Sequence, residues 1–85
     1  MIYFRVEDAD CPGLNGFHQT ADGKIIEQTA PDHFVDAHVA KMFARKCQEQ
    51  FPYSEVVAIQ WEWEVKNNRP VTKEEKIVWR KENEN

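Results

Sequence analysis

The feature that most constrains this chain is an uninterrupted alternation past its middle. Val57, Ile59, Trp61, Trp63 and Val65 occupy every second position, and Val56, Ala58, Gln60, Glu62 and Glu64 fill the gaps. A period of two sends successive side chains to opposite faces, so 54–66 is expected to be one strand. That is well beyond the mean strand of about 5–6 residues. The tryptophan face reads as the one that meets a core, and the Gln60, Glu62, Glu64 face as the one left to water.

Shorter signals surround it. Ile2, Phe4 and Val6 alternate with Tyr3, Arg5 and Glu7, a second strand. The acid-, Gly- and Pro-rich stretch 8–16 reads as a loop. Asp22-Gly23 between 17–20 and 25–29 is a hairpin signal, because glycine takes the positive φ of a tight turn. Between Pro31 and Pro52, apolar Val35, Val39, Met42, Phe43, Cys47 and Phe51 recur at steps of three and four. With Pro31 and Asp32 in a first turn, that predicts an amphipathic helix of about five turns. Asn67-Asn68-Arg69-Pro70 ends the long strand. The tail offers two patterns: Thr72 with Glu75 as a capping box before good helix formers, and Ile77-Val78-Trp79 as a short strand. The capping box favours a short C-terminal helix, with 82–85 frayed. The expected fold is a single α+β domain over 1–85: a mostly antiparallel sheet of about four strands, one long amphipathic helix on one face, and a short C-terminal helix.

Size and charge exclude several functions. Eighty-five residues, 41% of them apolar, can form one small core but cannot also enclose a large cofactor. A net charge of −4 opposes general affinity for phosphate backbones or anionic lipid. No apolar run reaches the roughly 20 residues of a membrane span. The opening residues turn charged within seven positions and lack a signal-peptide pattern. Two cysteines, Cys11 and Cys47, fall short of a disulfide framework and read as free thiols in a reducing cytoplasm.

Candidate chemistry is sparse. His33 and His38, placed on one helix, would point about 140° apart and could not share a metal. His18 and Cys11 have no second pair to complete a site. A calcium loop from Asp8 would put Gly13 at its sixth position but Pro12 at the fifth and Gln19 at the twelfth, where a bidentate Glu belongs. Cys47 falls on the apolar helix stripe and reads as a small buried residue. No glycine-rich stretch opens a helix to hold a phosphate. Glu62 and Glu64, about 7 Å apart on one strand face, have no evident cleft to set their acidities apart. The expectation is a protein that is no enzyme and holds neither metal nor cofactor.

Two binding readings remain. Lys66, Arg69, Lys73, Lys76, Arg80 and Lys81 follow the long strand, so 66–85 carries six basic against four acidic side chains, whereas 1–65 carries five against eleven. Lys73, Lys76, Arg80 and Lys81 would form the nucleic-acid surface, with Trp61 and Trp63 available for base stacking. The acidic body points instead to a basic surface on a protein partner. There Gln60, Glu62 and Glu64 would make the contact, with Tyr53 and Trp79 as aromatic anchors. A homodimer through edge pairing of the long strand is the alternative.

Thr29-Ala30-Pro31-Asp32 before the helix, Phe51-Pro52 after it and the returning Val56-Val57-Ala58-Ile59 resemble a pattern common in small phage and prophage proteins. Small phage inhibitors of bacterial RNA polymerase and several small anti-CRISPR proteins are similar. The resemblance spans 25–65, is architectural and assigns no site residues. It implies an accessory protein, phage or prophage encoded, that works in the cytoplasm by binding a host or phage protein.

Overall fold

The computed structural model describes residues 1–10 and 15–81. Strand β1 spans Ile2–Asp8, β2 Gly16–Gln19, β3 Ile25–Gln28 and β4 His33–Phe34; helix α1 spans Ala37–Gln50; β5 spans Val56–Lys66 and β6 Arg69–Arg80. Every strand pairing is antiparallel, in the order β3-β2-β1-β5-β6, with β4 also paired to β1. The described residues thus form a six-stranded sheet with one 14-residue helix, which corrects the expected four strands, long helix and short C-terminal helix. Cys11, Pro12 and Gly13 of the expected loop, and the frayed end at 82–85, lie outside the described residues.

The tail corrects most sharply. Asn67 and Asn68 take φ of 52° and 62°, the pair of left-handed residues that a two-residue hairpin turn needs, and asparagine tolerates this well. The chain therefore folds back, pairing Lys66 with Arg69 and Val57 with Arg80. Helix propensity and a capping box are worth about 1 kcal/mol each, too little to outweigh a twelve-residue strand pairing. Register shifts between Ala58/Ile59 and Glu62/Trp63 leave Val78 and Lys73 as extra residues on β6. These bulges let Ile77 stand beside Ile59 and Trp79 beside Ala58, on opposite faces. As an edge strand, β6 accommodates Pro70 and its run of Lys and Glu, both of which discourage further pairing. Strand β5 lies inside the sheet, paired on one edge with β1 from Val56 to Glu62 and on the other with β6 from Val57 to Lys66. Between Val57 and Glu62 both edges of β5 are thus taken within the chain, so the free edge of the sheet on this side belongs to β6.

The helix begins later than expected. Asp36 caps it, its carboxylate accepting from the amides of His38 at 2.7 Å and Val39 at 3.3 Å. Pro31 instead packs against Gly16, where an added Cβ would collide with the proline ring and backbone. His33 and Phe34 extend to pair with Arg5 and Phe4. Because Val35 precedes the helix, the stripe read from it is out of phase: Val35, Val39 and Met42 are exposed, while Ala40, Phe43, Ala44, Cys47 and Gln48 are buried.

One core results. Phe43, Ala44 and Cys47 of the helix meet Val6, Phe17, Ile25, Val56, Ala58 and Trp79 of the sheet. Phe17 packs against Phe51 and Phe34 against Phe43 with tilted rings, each pair 5.3 Å between centres. Gln48, a polar residue, is buried and ties the helix end to β5: its amide donates to the carbonyls of Phe51 (3.0 Å) and Ser54 (2.7 Å), and its oxygen accepts from the Val56 amide (3.2 Å). Gln48→Leu leaves these groups unsatisfied and is expected to cost about 2 kcal/mol, read as a lowered urea midpoint with an unchanged slope.

Burial pushes the Cys47 thiol up to about 12, a backbone hydrogen bond offsetting part of the rise. It is therefore protonated at neutral pH. In a Cys11→Ser background, native Cys47 is expected to react with a thiol reagent at pH 8 roughly a thousandfold more slowly than in denaturant, the ratio of thiolate fractions at this value and at an ordinary 8.5.

Candidate functional site: an aromatic cluster on the uncovered sheet face

A single helix covers a single face. Val6 and Ala58, which pair across β1 and β5, sit in the helix core. Their neighbours along each strand must then point the other way. So Tyr3, Arg5 and Glu7 of β1, with Val57, Ile59, Trp61 and Trp63 of β5, line the face that no described element crosses. The tryptophan stripe expected to meet the core lies opposite it. Phe4 and Val6 claim the helix, and the register pairs them with Gln60 and Ala58.

Four rings gather on this open face. Tyr3 pairs directly with Trp61, and His33 of β4, opposite Arg5, reaches the same spot. Centre-to-centre distances are 6.4 Å for Tyr3–Trp61, 6.3 Å for Tyr3–Trp63 and 6.1 Å for Trp61–Trp63. Three nearly equal separations form a triangle and not a column, so the rings pave a surface. His33 extends it, 5.8 Å from Tyr3 and 5.9 Å from Trp61. The Trp61 indole donates to Thr72 Oγ1 at 3.0 Å. The Trp63 Nε1 is enclosed without an acceptor. Tyr3, Trp61 and Trp63 remain partly exposed.

Arg5 is the polar centre. Its Nε donates to Glu7 Oε2 at 2.7 Å and its Nη2 to Glu75 Oε1 at 3.1 Å, while its guanidinium lies 5.7 Å from the Trp61 ring centre. Burial alone would lower the Arg5 pKa, but the bonds and charges of Glu7 and Glu75 outweigh it and raise the value. Two shallow depressions of about 330 and 290 Å³ meet at these three residues, one reaching His33 and Thr72, the other Ile59 and Ile77. Among the acidic and basic side chains lining these depressions, the accessible one is acidic. Arg5 is largely covered, whereas Glu75 is half exposed, and Asp32, accepting from or facing His18 Nδ1 at 2.7 Å, is 40% exposed.

The residues singled out from sequence do not converge. Tyr53 is 98% exposed at the turn before β5. Gln60, Glu62 and Glu64 share the helix side of β5, with Lys73 Nζ 3.8 Å from Glu62 and Lys66 Nζ 3.4 Å from Glu64. Trp79, at 5% exposure, belongs to the core and is no surface anchor. The basic set is likewise divided: Lys76 pairs with Gln60 on the helix side, Arg80 with Val57 on the open side, Lys73 sits at a bulge and Lys81 follows the strand. A helix would have gathered them. A strand spreads 73–81 over roughly 26 Å and alternates their faces.

His18 is engaged with Asp32, His33 with the rings, and His38 stands at the helix start. Among the described residues no three His, Cys, Asp or Glu side chains meet in a metal-binding group. No helix among them is long and apolar enough to cross a membrane. Compared with known proteins, the chain matches no family model, no curated protein and no solved structure.

Proposed function

We propose that this is a non-enzymatic binding protein of the cytoplasm, phage or prophage encoded, that docks a host or phage protein on its uncovered sheet face. The observation that carries the reading is the Tyr3, His33, Trp61 and Trp63 cluster on a face left open by the only described helix. Tryptophan, tyrosine and arginine are the residue types that most often dominate binding at protein interfaces. A contiguous apolar surface rimmed by polar groups is a common mark of such a site. Nucleic acid fits less well, because Glu7 and Glu75 already neutralise Arg5 inside the cluster and would repel phosphates.

Affinity capture from a host lysate tests the reading when run with three proteins side by side. A Trp61→Ala/Trp63→Ala double variant is expected to lose the partner, each anchor contributing about 2 kcal/mol or roughly thirtyfold. Glu62→Lys/Glu64→Lys, on the opposite side, is expected to retain it. Circular dichroism confirms that all three are folded. Retention by the tryptophan variant, or loss by the glutamate variant alone, overturns the reading.

A further inference from the structure

Resting on that reading, we infer that the segment received by this face is cationic: an extended stretch of polypeptide bearing arginine or lysine. The fold supplies its own precedent. Arg5 lies over Trp61 with carboxylates on two sides, which is how a buried guanidinium is stabilised by aromatic faces and by charge. Tyr3 and Trp63 continue the same ring surface and remain partly exposed. Glu75, in register with Trp61 and through it with Tyr3, is an accessible carboxylate, its side chain 49% exposed while that of Arg5 is 16% exposed. Asp32, next to His33 in the chain and 40% exposed, adds a second accessible carboxylate, one oxygen of which lies 2.7 Å from His18 Nδ1. An incoming guanidinium or ammonium would thus meet ring faces and accessible carboxylates together, whereas an acidic segment would meet repulsion. The chain's overall −4 draws the same class of partner from a distance.

Tryptophan fluorescence titration of the whole chain tests this with four probes: an eight-residue peptide alternating arginine and serine, the same peptide with glutamate for arginine, the same with glutamine, and an eight-residue oligothymidylate. The arginine peptide is expected to bind, more weakly as salt rises, and to lose roughly tenfold in affinity with Trp63→Leu and with Glu75→Gln. Glu49→Gln and Glu55→Gln, on the helix end and the following turn, are expected to change it less than twofold. Equal sensitivity to all four substitutions would mean general charge attraction and overturns the inference. Preference for the glutamine or glutamate peptide overturns it while leaving protein docking intact. Preference for the oligothymidylate overturns both. Absence of binding by every probe overturns the cationic assignment, and the capture experiment then decides docking separately.

Discussion

Trp79→Ala is expected to cost about 3–5 kcal/mol, the range for emptying a buried tryptophan site. The indole is 5% exposed, pairs beside Ala58 and shares the core with Phe43, Ala44 and Cys47. Small domains hold only about 5–15 kcal/mol in total, so the variant should be partly unfolded at 37 °C. Urea denaturation measures it, with the conservative Trp79→Phe retaining more than half of the lost stability. The result also separates two roles for this side chain. An anchor facing a partner could be removed with little change in stability and a large change in binding. A core residue does the reverse, and a loss below 1 kcal/mol would return Trp79 to the surface and β6 to doubt.

Arg5→Ala is expected to cost about 3 kcal/mol, the lower end for breaking a buried ion pair because the Glu75 side of the network is open to water. What makes it costly is the partner left behind. Glu7 is 8% exposed and keeps a carboxylate with its hydrogen-bonding guanidinium gone. Arg5→Ala/Glu7→Gln, which removes both charges, is expected to recover at least ~1 kcal/mol relative to the sum of Arg5→Ala and Glu7→Gln, a coupling measured by a double-mutant cycle. If the double substitution is instead the sum of the singles, the pair at 2.7 Å is not coupled and Arg5 acts only by its packing on Trp61.

The elements that sequence reveals here are those whose pattern is local. Ile2, Phe4 and Val6 alternate and form β1; Asp22-Gly23 forms a hairpin with Gly23 at φ 87°; the long alternation forms β5. What it hides depends on partners far along the chain. Whether Trp61 or Gln60 faces the helix is decided by register, which sets Ala58 opposite Val6, and neither strand alone specifies it. The helix was legible as a period, yet its phase was not. His33 and Phe34 were recruited by β1, Asp36 became the cap, and the stripe through Val35 and Val39 turned outward. In β6 two bulges break the period of two, and its Lys and Glu content imitates a helix. The local clues were Ile77-Val78-Trp79, which reads as a short strand, and Asn67-Asn68, which suits a left-handed turn and so a returning strand. The aromatic cluster followed from this. Tyr3, His33, Trp61 and Trp63 are distant in sequence and become one surface only through β1 pairing with β4 and β5.

The central claim, that Trp61 and Trp63 form a surface while Trp79 lies in the core, is tested most directly by oxidative footprinting of the three indoles with mass spectrometry. In the free protein, Trp61 and Trp63 are expected to be modified several times faster than Trp79, and in the presence of the captured partner both should become protected while Trp79 is unchanged. Equal slow modification of all three in the free protein, or protection confined to Tyr53 and the helix side of β5, would contradict it.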